Sequence, residues 1–155
     1  MSETHDPEIV TLEPVTVALL RETVRMDDLT DYYDRAFHAV ADAAEAQGVA
    51  LAGPPVGVYF GMPTETVDVG AGFPTDVPVT PDAGVTPETL PGGPAVRVLH
   101  VGTYDAMAAT YERLLGWLAV QGLKPGPLMW EVYLTEPDPD APEASQTLIV
   151  WPMAE

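Results

Sequence analysis

Two stretches of this chain end a helical pattern on Gln-Gly and then place Val-Tyr at the same distance beyond the glycine. They are Gln47-Gly48 with Val58-Tyr59, and Gln121-Gly122 with Val132-Tyr133. A strand pattern precedes each helix and two follow it, so the chain reads as β-α-β-β written twice. A duplication of that kind constrains the fold strongly. The expectation is an α+β domain with one antiparallel sheet, two main helices, a pseudo-twofold relation between the halves and a cleft between them.

The elements follow from local patterns. Residues 1–13 carry Glu3, Asp6, Glu8 and Glu13 and read as a flexible leader. Val15 to Val24 is rich in β-branched residues and reads as a strand. Met26-Asp27-Asp28 offers helix-start chemistry. From Leu29 to Gln47 the residues Leu29, Tyr33, Ala36, Phe37, Val40 and Ala44 recur at helical spacing, with Gly48 as the natural cap. Val56 to Phe60 and Glu65 to Phe73 are the next strands. The second half repeats this with a strand over 95–101 and a helix opening near Gly102-Thr103-Tyr104-Asp105. That helix is about one turn shorter, and its apolar face is Met107, Tyr111, Leu114, Leu115 and Leu118. Strands over 129–134 and 147–151 complete it, joined by an acidic, proline-rich loop from Glu136 to Ser145. The domain therefore spans 14–152, with repeat one at about 14–76 and repeat two at about 95–152. The connector, about 77–94, lies in a stretch holding Pro74, Pro78, Pro81, Pro87, Pro91 and Pro94 and has room for a short central strand.

Charge narrows the partners. Asp and Glu outnumber Lys and Arg by 24 to 6, a net charge of −18 on 155 residues. Such a surface repels phosphate backbones and anionic lipid, so direct nucleic-acid and membrane partners are not expected. The chain has no cysteine, which removes disulfide and thiolate chemistry. No apolar run approaches the ~20 residues of a membrane span, and the acidic N-terminus is unlike a signal peptide. A cytoplasmic protein is the expectation.

Familiar catalytic signatures are missing. The serines are Ser2 and Ser145 only, neither in a G-x-S-x-G setting. His5, His38 and His100 lie far apart without metal-ligand spacing, so no metal and no cofactor is expected. The run Val69-Gly70-Ala71-Gly72-Phe73-Pro74 begins like a dinucleotide fingerprint, but Thr75 stands where the third glycine belongs and a proline-rich stretch follows. His100, in a strand, reads either as a satisfied structural histidine or as part of a site. What remains is aromatic and carboxylate. Trp130-Glu131-Val132-Tyr133 sets one acid inside an apolar strand. Alternation puts Glu131 and Tyr133 on one face and Trp130 and Val132 on the other. A charge there must face water or find a partner. The pattern leaves both readings open: a solvated carboxylate on an exposed face, or an acid waiting for a ligand.

Five segments in order carry a resemblance. They are Ala52-Gly53-Pro54-Pro55-Val56-Gly57-Val58-Tyr59, Asp68-Val69-Gly70-Ala71-Gly72-Phe73-Pro74, Leu90-Pro91-Gly92-Gly93, His100-Val101-Gly102-Thr103-Tyr104-Asp105 and Trp130-Glu131-Val132-Tyr133-Leu134-Thr135. Together the chain resembles the gyrase-inhibitor-like (GyrI-like) small-molecule-binding family. The same domain serves as the effector-binding module of some AraC-type and MerR-type regulators. Thr103 departs from the family, where proline is common. The resemblance implies two SHS2-like β-α-β-β repeats. It also implies a pocket in which Glu131 pairs with lipophilic cations between aromatic walls at Tyr59, Phe73, Tyr104 and Tyr133, and at Tyr33, Phe37 and Tyr111. With 13 residues before the domain, a stand-alone version is expected.

The function expected on these grounds is binding of a cationic, lipophilic or aromatic small molecule, for sensing, sequestration or resistance. Stand-alone relatives that resemble hydrolases of strained, cyclopropane-containing genotoxins imply an alternative, with Glu131 as the catalytic group. A further alternative is a protein-interaction module such as a gyrase inhibitor, its partner surface unidentified.

Overall fold

The computed structural model describes residues 7–61, 64–82, 84–103, 106–135 and 144–153. Its strands are β1 (Glu8–Leu12), β2 (Val15–Arg25), β3 (Val56–Tyr59), β4 (Thr66–Pro74), β5 (Val85–Leu90), β6 (Gly93–Val101), β7 (Met129–Tyr133) and β8 (Gln146–Pro152). The helices are α1 (Leu29–Gln47) and α2 (Met107–Gln121). All eight strands join one antiparallel sheet in the order β1-β6-β8-β7-β3-β4-β2-β5. Within each half the strand order is the same, with β3 and β7 meeting at the centre.

Alternation along each strand builds two apolar layers. Val17, Leu19, Val56, Val58, Trp130 and Val150 point to one face. Val10 and Leu12 from one edge strand and Leu90 from the other pack on that same cluster, so the sheet curls around it. The helices cover the opposite face. α1 buries Tyr32, Ala36, Val40 and Ala43 against Leu20, Val67, Val69 and Ala71. α2 lays Met107, Leu114 and Leu118 on Val96, Val98, Ile149 and Trp151. Each helix stops at a glycine in the left-handed region, Gly48 at φ 69° and Gly122 at φ 71°, where a side chain is strained. α1 has 19 residues and α2 has 15, the one-turn difference expected.

Several expectations need correction. Residues 8–12 are not a flexible leader: they are edge strand β1, paired with β6 from Glu8↔Arg97 to Leu12↔Gly93. The pair is reinforced by an Arg97–Glu8 ion pair at 2.6 Å. The connector does hold the short central strand it has room for: β5 is an edge strand on β2, where Pro87 withholds an N–H that an interior strand would need. Leu115, assigned to the apolar face of α2, is 40% exposed, and Thr110 takes an inward position instead. Tyr32, absent from the expected α1 face, is fully buried. Its hydroxyl donates to the Leu20 carbonyl and accepts the Ala71 N–H at 2.9 Å, tying α1 to β2 and β4. The loop expected over 136–145 falls largely outside the described residues. Among the described residues no helix is long and apolar enough to cross a membrane.

Candidate functional site

The helices leave a cleft above the middle of the sheet, where β3 and β7 run side by side. The register there pairs Val56 with Val132, Gly57 with Glu131 and Val58 with Trp130. Strand alternation then aims Glu131, Tyr133 and Tyr59 into the cleft, while Trp130 and Val58 join the core beneath. The cleft holds a cavity of about 790 Å³, within the range of small-molecule pockets.

Five aromatic side chains stand in its walls. Tyr33 and Phe37 descend from α1, one helical turn apart, with rings stacked at 5.8 Å. Phe73 of β4 meets Phe37 edge-on at 5.7 Å. Tyr133 meets Tyr33 at 6.0 Å and Phe37 at 6.2 Å, both edge-on. Tyr59 closes the floor beside them, its hydroxyl bonded to that of Tyr33. The edge-on arrangements suit the ring quadrupole. Leu29, Thr30, Pro54, Pro55, Met107, Leu134 and Thr135 complete the lining. None of these was assigned to the site from the sequence: Leu29 and Met107 were placed on helix faces, Pro54, Pro55, Leu134 and Thr135 lie in segments that carry the resemblance, and Thr30 had no signal.

Among the described residues Glu131 is the one acid lining this cavity, and it is only 7% exposed. The solvated-carboxylate reading is therefore excluded. Its partners are hydroxyls: Tyr133 donates to Oε1 at 2.8 Å, and Tyr111, from α2, donates to Oε2. Among the described residues no ion pair reaches it. Burial pushes the Glu131 carboxyl above its ordinary range, and the tyrosine hydrogen bonds act in the opposite direction. The tyrosines respond in turn. Burial, then the nearby Glu131, raises Tyr33 to about 12 and moves Tyr59, Tyr111 and Tyr133 up as well. All four therefore stay neutral hydroxyls at physiological pH.

Of the residues expected at a site, Glu131, Tyr133, Tyr59, Phe73, Tyr33 and Phe37 line one cavity. Tyr111 reaches it through Glu131. Tyr104 lies outside the described residues. His100 is buried, with Nδ1 on the Thr110 hydroxyl at 2.7 Å and Nε2 donating to the Thr103 carbonyl at 2.9 Å. Both ring nitrogens are satisfied, as a structural histidine requires. Among the described residues no group of three His, Asp or Glu could hold a metal ion.

The fold is shared with solved structures of low sequence identity. The C-terminal domain of EcmrR has a TM-score of 0.83 at 16% identity, covering 97% of this chain and 98% of that one. EcmrR in its complex with DNA also gives 0.83, at 19% identity over 97% of this chain, which spans 57% of that longer one. SAV2435 bound to tetraphenylphosphonium gives 0.68 at 13% identity, covering 97% and 94%. A hydrolase from Listeria innocua gives 0.69 at 13%, covering 96% and 92%. No curated protein matches the sequence. The profile of the GyrI-like small molecule binding domain matches residues 5–154, so nearly the whole chain belongs to the GyrI-like small molecule binding domain family.

Proposed function

We propose that this domain binds lipophilic or aromatic cations, with Glu131 as the anionic anchor of the aromatic pocket. The observation that carries the reading is a carboxylate 7% exposed, hydrogen-bonded by tyrosines and without a cationic partner among the described residues. A buried acid so placed costs stability unless something compensates. A guest cation supplies the missing charge, and the surrounding rings add about 0.5–2 kcal/mol each through cation–π attraction. The ring faces are not directional in the way hydrogen bonds are, which favours breadth over a single ligand. Tetraphenylphosphonium, bound in SAV2435, has the chemistry this pocket asks for and is the natural probe. Calorimetric titration of wild type and Glu131→Gln with that cation tests the reading; equal affinities defeat it.

A second reading uses the same cluster. A buried carboxylate with raised proton affinity is a general base, and a neutral tyrosine beside it is a proton donor. Hydrolysis of a strained, cyclopropane-containing electrophile would use Glu131 to take a proton from the attacking water and a tyrosine hydroxyl to supply one to the opened ring. The fold likeness to a Listeria hydrolase adds support. Mass spectrometry should then find a product heavier than the substrate by one water, absent with Glu131→Ala. No product above the uncatalysed background removes this reading.

A further inference from the structure

The centre of the sheet holds an unequal pair. Gly57 on β3 lies directly across from Glu131 on β7. In the sequence repeat these are equivalent positions, each immediately before Val-Tyr. One therefore carries the acid of the cleft and the other carries nothing.

The empty position is filled by a neighbour. A Cβ at residue 57 would lie 2.7 Å from the Tyr133 hydroxyl and 3.1 Å from the Tyr33 ring. Tyr133 lies diagonally across the strand pair and occupies the space that the glycine leaves, as aromatics do beside cross-strand glycines. This is the position from which its hydroxyl reaches Glu131 Oε1 at 2.8 Å. Gly57 is not among the glycines with positive φ, so its backbone would accept a side chain. What excludes one is the Tyr133 hydroxyl first, with Tyr33 close beside it.

We infer that Gly57 is the positioning residue of the Glu131 site: the side chain it lacks is the space through which Tyr133 holds the carboxylate. The inference rests on the cation-binding reading for its consequence, but the geometric step stands apart from it. Displacing the Tyr133 hydroxyl removes one donor from a buried carboxylate that burial already pushes towards its protonated form. The acid then ionises at higher pH, and a cation finds it charged less often.

The test uses Gly57→Ala, Tyr133→Phe and the double variant. The ¹³C shift of the Glu131 carboxyl, followed against pH in the ligand-free protein, reports protonation without any guest. The midpoint should move to higher pH in Gly57→Ala and in Tyr133→Phe, and the double variant should move no further than Tyr133→Phe alone. Tetraphenylphosphonium binding, measured below the wild-type Glu131 midpoint found in that titration, should weaken about tenfold in Gly57→Ala, the size of one lost charge-assisted hydrogen bond. A wild-type midpoint in Gly57→Ala, or shifts that add in the double variant, overturns the inference. Should Gly57→Ala fail to fold, thermal melts decide: the double variant must recover most of the loss relative to Tyr133→Phe, and no recovery equally overturns it. Failure of the cation reading is seen separately, as unchanged binding in Glu131→Gln.

Discussion

Replacing Glu131 by glutamine should move affinity and stability in opposite directions. The glutamine keeps the shape, and its amide can serve both tyrosines, accepting from one hydroxyl and donating to the other. Only the charge is lost. A guest cation about 5 Å from the carboxylate, at an effective dielectric of about 20, gains roughly 3 kcal/mol from the pair. Lower occupancy of the ionised form reduces this, so the expected loss is about 2–3 kcal/mol, or roughly 30- to 150-fold in tetraphenylphosphonium affinity. A neutral isostere such as tetraphenylsilane should lose nothing. Stability should change the other way. Folding raises the affinity of Glu131 for its proton, so its favourable contribution is complete below the unfolded carboxyl's pKa and disappears as pH rises through the folded one. Across that window the wild type should lose up to about 1.4 kcal/mol per pH unit relative to Glu131→Gln. Denaturant melts of both proteins from pH 4 to pH 8 measure the difference directly. Should the glutamine variant bind the phosphonium as tightly as wild type, and be no more stable at pH 8, the placement of an unpaired anion in this cleft is wrong.

The remaining expectations concern single hydroxyls. Tyr111→Phe removes the donor to Glu131 Oε2 and should weaken phosphonium binding about tenfold. Because the hydroxyl favours the ionised acid, the loss should be larger below the Glu131 midpoint than above it; a loss independent of pH in titrations would contradict this role. Tyr32→Phe leaves the ring in place but strands the Leu20 carbonyl and the Ala71 N–H inside the core. It should cost about 2–4 kcal/mol and lower the melting temperature by roughly 5–15 °C. A circular-dichroism melt within 2 °C of wild type would show that the two backbone groups find other partners.

Much of the architecture was legible in residue order because it depends on local periodicity. The span of α1 follows from a helical apolar pattern ended by Gly48, and the facing of Glu131 and Tyr133 follows from the two-residue period of a strand. Elements that depend on distant partners were not legible. β1 is short and largely exposed, and becomes a strand only because β6, some eighty residues later, offers an open edge. β5 was expected only as a short strand among prolines; what residue order did not record is its partner, the free side of β2. Tyr32 and Tyr33 are adjacent and chemically alike. Only the tilt of α1 on the sheet sends one hydroxyl into the β2–β4 ladder and the other into the cleft.

The site divides along the same line. Sequence alone determined that a lone acid interrupts an apolar strand among aromatics, and that its counterpart in the other repeat is Gly57. It left open whether the acid meets water. Tertiary structure decided that, because β3 and β7 become neighbours only once the sheet is assembled, bringing Tyr33 from one helix and Tyr111 from the other over the same carboxylate. Burial, and with it the raised proton affinity of Glu131, belongs to that assembly: a carboxylate is desolvated by what surrounds it in space, which residue order does not record.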